Sequence, residues 1–327
     1  MKYSGIGGQA VLEGIMMRNG DKYAVAVRKP NGEIALDIQE TNSFTKKHPW
    51  MKLPFIRGTF NFIDSLIIGI KTLMYSADIF AEEEESKEEI DEVLKLDEPF
   101  EEKKKKSSIG ETATLTGTLI FSLAFAIGLF ALLPVFIAGL IPGLDDHYLL
   151  RALIEGVLRI AIFIGYVWIV SFLEDIKRTY MYHGSEHKCI NCIERGLPLT
   201  VENVRKSSKE HKRCGTSFML IVMVISVFVF MFIRVDNIFL RMLSRILLIP
   251  VVAGLSFEFL RYAGTHDNKI INALSRPGMW LQNLTTKEPT DDMIEVAIVA
   301  VEAVFDWKEF QEHMNDDVSG TCDKGCR

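Results

Sequence analysis

Residues 113–141 read ATLTGTLIFSLAFAIGLFALLPVFIAGLI and carry no charged side chain. A helix needs ~20 consecutive apolar residues to cross the hydrocarbon core of a bilayer. This stretch therefore predicts a membrane span, with Pro134 and Gly139 kinking its outer half. Three more apolar stretches follow, at roughly 152–173, 215–233 and 239–264. The expected fold class is an α-helical integral membrane protein with about four transmembrane helices and a cytosolic α+β N-terminal domain.

Lysine and arginine placement orients the spans, because cytoplasmic loops carry the excess of both. Lys103, Lys104, Lys105 and Lys106 precede the first span, and the 174–214 loop holds Lys177, Arg178, Lys188, Arg195, Arg205, Lys206, Lys209, Lys212 and Arg213. The two loops on the other side offer only Arg151 and Arg234. A multi-pass cell-membrane protein with both termini and the 174–214 loop in the cytoplasm is expected. The chain divides into a cytosolic N-terminal domain (1–81), a charged linker (82–109), a four-span membrane domain (110–264) and a cytosolic C-terminal segment (265–327).

Within 1–81, the alternation over Tyr23 to Glu40 around Pro30-Asn31-Gly32 predicts a β-hairpin. The glycines at 5, 7, 8 and 14 predict a tight, irregular start. Phe60, Ile63, Ile67, Ile70, Met74 and Ala77 recur at helical spacing. Asp64 and Lys71 interrupt that face, so the helix is expected to lie in the membrane interface or on the domain rather than to span. Thr290 to Phe310 reads as a second amphipathic helix, starting at Thr290 or Asp291.

Of the 327 residues 48% are hydrophobic and 24% charged, with a formal net charge of −6. The apolar excess is thus concentrated in segments, and no nucleic acid is expected as a partner. The first apolar stretch is short, contains Glu13 and lacks a basic segment before it, which argues against a cleavable signal peptide. Five cysteines, three of them in one loop with three histidines, fit reduced thiols or a metal site in a cytosolic compartment. Cys322 and Cys326 in the tail are expected to be incidental.

The segment Tyr182-His183-Gly184-Ser185-Glu186-His187-Lys188 contains H-x-x-E-H, the inverted zincin spacing. On a helix, His183 and His187 share one face and can hold one divalent metal, zinc by ligand type, with Glu186 beside them as general base. A third ligand is required, and His211, Cys214 and Glu258 are the candidates at the inner ends of the third and fourth spans. His266-Asp267 is a further possibility. A rival reading uses Cys189-x-x-Cys192 with His211-x-x-Cys214, a Cys3His spacing that would close a structural zinc site and do no chemistry. On spacing alone, a catalytic metal, a structural metal and no metal weigh about equally.

Glu155 and Arg159 on the second span can meet Arg241 or Arg245 on the fourth, although snorkelling to the interface is the favoured explanation of all four. Gly7-Gly8-Gln9 matches the tripeptide that release factors bring to peptidyl-tRNA, and coincidence is favoured. Glu13 and Arg18, which flank it, fit a structural ion pair equally well.

Residues 7–18 (GGQAVLEGIMMR), the 182–188 segment, Arg213-Cys214-Gly215-Thr216-Ser217-Phe218, Tyr262-Ala263-Gly264 with Asp267-Asn268, Pro277 to Gln282 and Thr285 to Pro289 together resemble the YqhQ-like family, domain of unknown function 1385. The resemblance covers nearly the whole chain apart from the charged linker and the tail after about 312. It implies a metal-dependent enzyme, as that family is commonly described. The resulting expectation is a membrane-embedded hydrolase at the cytoplasmic bilayer surface, acting on a lipid headgroup or a membrane-proximal peptide. The alternative is a non-catalytic membrane scaffold stabilised by a Cys/His zinc site.

Overall fold

The computed structural model describes residues 3–41, 53, 56–93, 109–144, 147–211, 214–265 and 268–313. The sequence-stretch candidates at 103–106, His266, Asp267, Cys322 and Cys326 lie outside them. Four strands, β1 (Gly7–Val11), β2 (Gly14–Asn19), β3 (Lys22–Arg28) and β4 (Ile34–Glu40), pair antiparallel in the order β1-β2-β3-β4. The expected hairpin is β3–β4, with Val25 opposite Asp37 and Gly32 at φ 91° in its turn. The glycine-rich start is not irregular. It forms the β1–β2 hairpin, in which Gly8 and Gly14 stand where the neighbouring backbone approaches closely.

Helix α1 (Ile56–Val93) follows and continues through the acidic run at 82–85, which was expected to be linker. The remaining helices are α2 (Ile109–Ile127), α3 (Leu133–Gly139), α4 (Tyr148–Val170), α5 (Glu174–Glu194), α6 (Val201–Lys206), α7 (Gly215–Met231), α8 (Ile238–Leu247), α9 (Ile249–Thr265), α10 (Lys269–Thr285) and α11 (Asp291–Val304). A π-helical turn at Gly128–Leu132 joins α2 to α3.

The sheet alternates residues between two faces, and each face has its own cover. Ile6, Ile15, Met17, Ala24 and Ala26 pack on Tyr182, Ile190 and Ile193 of α5 and on Met293, Ile294 and Ala297 of α11. Val11, Met16, Tyr23, Val25 and Val27 pack on Ile68 of α1. The sheet is therefore a filled layer between α1 and the α5/α11 pair.

The apolar helices are built the other way round. Helix α4 buries Arg151, Glu155 and Arg159 while Leu153, Val157, Trp168 and Ile169 face outward. Helix α8 buries Arg241 and Arg245 and exposes Phe239, Leu240, Leu243 and Leu247. Helix α1 buries Asp64, Thr72 and Ser76 and exposes Phe62, Ile63, Leu66, Ile67, Leu73 and Met74. Water disfavours such an arrangement and lipid favours it. Among the described residues, Gly117–Gly139 and Tyr148–Val170 are long and apolar enough to cross a membrane, and α8 with α9 makes a third if this pair, bent by 43°, is one span. Helix α7 is apolar but has only 17 residues, about 25 Å at 1.5 Å per residue.

Candidate metal centre

Helix α5 carries the H-x-x-E-H segment. It is separate from α4, because Ser171 caps α4 and Leu173 is extended. One face of α5 holds the following loop by its backbone carbonyls. Lys188 Nζ donates to Arg205 O and Ser207 O, both at 2.9 Å, and Asn191 Nδ2 donates to Ser208 O at 2.7 Å and Glu210 O at 2.9 Å. His187 Nδ1 meets Lys209 O at 2.5 Å. The carbonyls of Arg205 and of residues 207–210 thus point at one helix, which satisfies their hydrogen bonding inside the protein. That loop leads to Cys214, the N-cap residue of α7.

A second segment, the end of α10 and the strand-like residues after it, closes the other side. Gln282 is fully buried. It accepts from His211 N at 2.9 Å and donates to His211 O at 2.7 Å and Ser217 Oγ at 2.8 Å. His183 Nδ1 meets Thr285 O at 3.0 Å, and Lys287 N donates to Tyr180 O at 2.9 Å. Gly184 makes this approach possible. A methyl group on it would lie 2.0 Å from Lys287 O.

These contacts bring His183, His187 and Cys214 together, with one ligand atom of each within 4.8 Å of the others. His183 Nε2 lies 3.1 Å from Cys214 Sγ. The His183 and His187 ring centroids are 4.4 Å apart. Each imidazole has its Nδ1 on a backbone carbonyl, which places a proton on Nδ1 and makes Nε2 the atom available to a ligand once it is deprotonated. Among the described residues, His187 Nε2 is buried and has no hydrogen-bond partner. Two imidazole lone pairs and a thiol converging on one point suit Zn²⁺, and the buried, unpartnered Nε2 is the observation that the donor set fits such an ion.

Burial by itself would lower the His183 pKa, but the adjoining Cys214 sulfur and Glu186 outweigh it and hold it at about 9. Burial would raise the Cys214 thiol, and the two histidines reverse this and hold it well below the ordinary thiol range. Burial pushes the Glu186 carboxyl up, against the histidines beside it and the Gly8 N–H that donates to it. Gly8 must be glycine at this contact, since a Cβ there would lie 2.7 Å from Met16 O and 3.0 Å from Glu186 Cδ. Gly7-Gly8-Gln9 is thus the strand that braces Glu186. It also lines a cavity of about 480 Å³ between the sheet and α1, together with Arg18, Asn61 and Asp64.

The other candidates are placed as follows. His211 is next to the centre, its ring 5.6 Å from that of His187, but its Nε2 faces Glu194 at 4.0 Å. Glu258 is not brought to the centre. Arg57 of α1 grips it through both oxygens, at 2.6 Å each. Glu258→Gln is therefore expected to leave metal content unchanged and to cost about 1 kcal/mol of stability, as half-exposed ion pairs do. Metal analysis and a thermal melt of the purified variant check both halves. Cys189 and Cys192 are free thiols buried in the apolar core between the sheet and α11, and burial raises the pKa of each. Glu13 pairs with Arg178 rather than with Arg18, whose Nε donates to Gly20 O at 2.9 Å. Gln282, Thr285, Lys188 and Asn191 were not singled out by role. Gln282, Thr285 and Lys188 lie in the stretches that carry the family resemblance, which was their only signal.

The family model for a protein of unknown function, DUF1385, matches residues 53–307. An uncharacterized protein, YqhQ of Bacillus subtilis (strain 168), is 36% identical over 293 residues, covering 89% of each chain. No solved structure matches the chain.

Proposed function

The chain belongs to the DUF1385 family, and for this member we propose a membrane-embedded, zinc-dependent hydrolase at the cytoplasmic bilayer surface. The observation that carries the reading is the convergence of His183 Nε2, His187 Nε2 and Cys214 Sγ, with both Nδ1 atoms already committed to backbone carbonyls. These three atoms would hold the ion. Three protein ligands would match the ligand number of catalytic rather than structural zinc sites. When bound, the ion would supply a Lewis acid. Glu186, braced by Gly8, takes up the proton of the attacking water at its carboxylate and returns it to the leaving group. The cavity behind Gly8 offers room of the size that small-molecule sites have, and a lipid headgroup or a membrane-proximal peptide is the substrate class that suits a site beside spanning helices. Replacing Glu186 by Gln tests the reading. Metal content is expected to stay near one equivalent while complementation by the intact gene is lost. Loss of metal together with function would contradict the role of base.

The burial of His187 and Cys214 favours a second reading, a scaffold in which a closed zinc site ties α5, α7 and α10 together. Ligand count separates the two.

The membrane arrangement proposed with it has four spans, 113–141, α4, α7 and the α8–α9 pair, with the sheet, α5, α11 and both termini on the cytoplasmic side. Support comes from the outward apolar faces of α4 and α8 and from the loop lysines and arginines. Reporters fused at residue 195 and at the C-terminus are expected to read cytoplasm, and one at residue 146 the opposite side. An external signal at 195 would overturn the orientation and the location of the centre.

A further inference from the structure

Arg151, Glu155 and Arg159 of α4 and Arg241 and Arg245 of α8 form one buried group, each 7% exposed or less. They do not snorkel, as their sequence positions suggest. Glu155 receives Arg245 at 2.8 Å and Arg151 at 3.4 Å. Arg159 donates to Ser226 Oγ at 2.7 Å and to Phe130 O at 2.9 Å, and Arg241 donates to Val235 O and Asp236 O. The Phe230 ring lies against Arg245 at 4.0 Å and Arg159 at 5.1 Å. Among the described residues, Glu155 thus bonds two of these guanidinium groups, and Arg159 and Arg241 bond neutral acceptors.

The hydrogen bonding is incomplete in a specific way. Among the described residues, Arg159 Nη2, Arg241 Nη1, Arg245 Nε and Arg245 Nη1 are buried and have no hydrogen-bond partner. A ring face attracts a guanidinium through its flat side, so Phe230 offsets charge but accepts nothing from the in-plane N–H donors. Buried cations without acceptors are costly, and buried charges are paired or neutralised by a ligand.

The geometry points to an anion site here, for a phosphate oxyanion. Four unpartnered donor atoms on three guanidinium groups outnumber the two oxygens of a carboxylate, whereas a phosphate presents enough oxygens and charge to meet them. Arginine forks suit that geometry. The phosphate can belong to a lipid headgroup or be free in solution. This site is separate from the His183/His187/Cys214 centre and does not rest on the metal reading.

Titration of the detergent-purified full chain with inorganic phosphate, at ionic strength held constant with sodium chloride, tests the site through its thermal midpoint. Nanodiscs with and without phosphatidylglycerol form the second arm. Saturable stabilisation by phosphate identifies a free anion. Stabilisation only in the phosphatidylglycerol nanodiscs identifies a headgroup. Arg245→Gln is expected to weaken the response about tenfold, the loss of one charge-assisted hydrogen bond. Glu155→Gln is the sharper variant, since removing the carboxylate that bonds Arg151 and Arg245 should tighten phosphate binding, which a purely structural salt-bridge cluster would not do. No stabilisation of the parent chain by either source would overturn the site, and so would a response unchanged in Arg245→Gln and Glu155→Gln.

Discussion

His187→Ala is expected to lose its bound zinc, with affinity falling at least ~100-fold, since loss of even an orienting partner of a ligand costs about 10–100-fold. The side chain sits at the middle of the constellation. Its Nδ1 is fixed by Lys209 O and its Nε2 is buried with no hydrogen-bond partner among the described residues. Alanine removes the ligand and also releases the loop whose carbonyls α5 holds, so the thermal midpoint should fall as well. His183→Ala and Cys214→Ser are expected to lose metal in the same way. Cys189→Ser and Cys192→Ser are expected to keep it, because both thiols lie in the apolar core against α11 and the sheet. Mass-spectrometric metal analysis of the five purified variants checks the pattern. The inverse pattern, with the Cys189 and Cys192 variants emptied and the His183 variant loaded, would establish the Cys3His site instead.

Gly184→Ala is expected to destabilise the chain by about 3 kcal/mol, at the upper end of the cost of overpacking. The added methyl group would meet Lys287 O at 2.0 Å, a backbone atom that cannot swing aside as a side chain can. Relief requires the segment after α10 to move off α5. That movement breaks the Lys287 N to Tyr180 O bond and shifts Thr285 O, which orients His183. Metal affinity should fall together with stability. Gly165→Ala is the matched control on α4. Nothing lies within 4 Å of the position of its methyl group, and alanine is the better helix former, so no loss is expected there. Thermal melts of the two variants, each with metal analysis, distinguish a close-packing requirement from a general intolerance of change in these helices.

The parts of this structure that the sequence makes legible are those set by local spacing. His183 and His187 fall on one helical face because four residues make slightly more than a turn, and α5 places them so. The β3–β4 hairpin follows from its alternation and its Asn31-Gly32 turn. Which side chain joins the two histidines is not legible. Cys214, His211 and Glu258 all precede or end apolar stretches, and what holds Glu258 elsewhere is Arg57, 201 residues away in the chain. No local pattern announces such a pair. The β1–β2 hairpin was hidden because its glycines signal turns, whereas at Gly8 the requirement is a close approach to Glu186 across the sheet. The arginine group was read as snorkelling for a similar reason, since its burial depends on α4, α7 and α8 meeting.

X-ray absorption spectroscopy at the zinc edge of the metal-loaded full-length protein tests the central claim most directly, because it counts sulfur and nitrogen ligands without needing a substrate. The account predicts one sulfur and two imidazole nitrogens, with a light atom completing four-coordination at the position left open. A first shell of three sulfurs and one nitrogen, or a purified chain that binds no stoichiometric zinc, would contradict it.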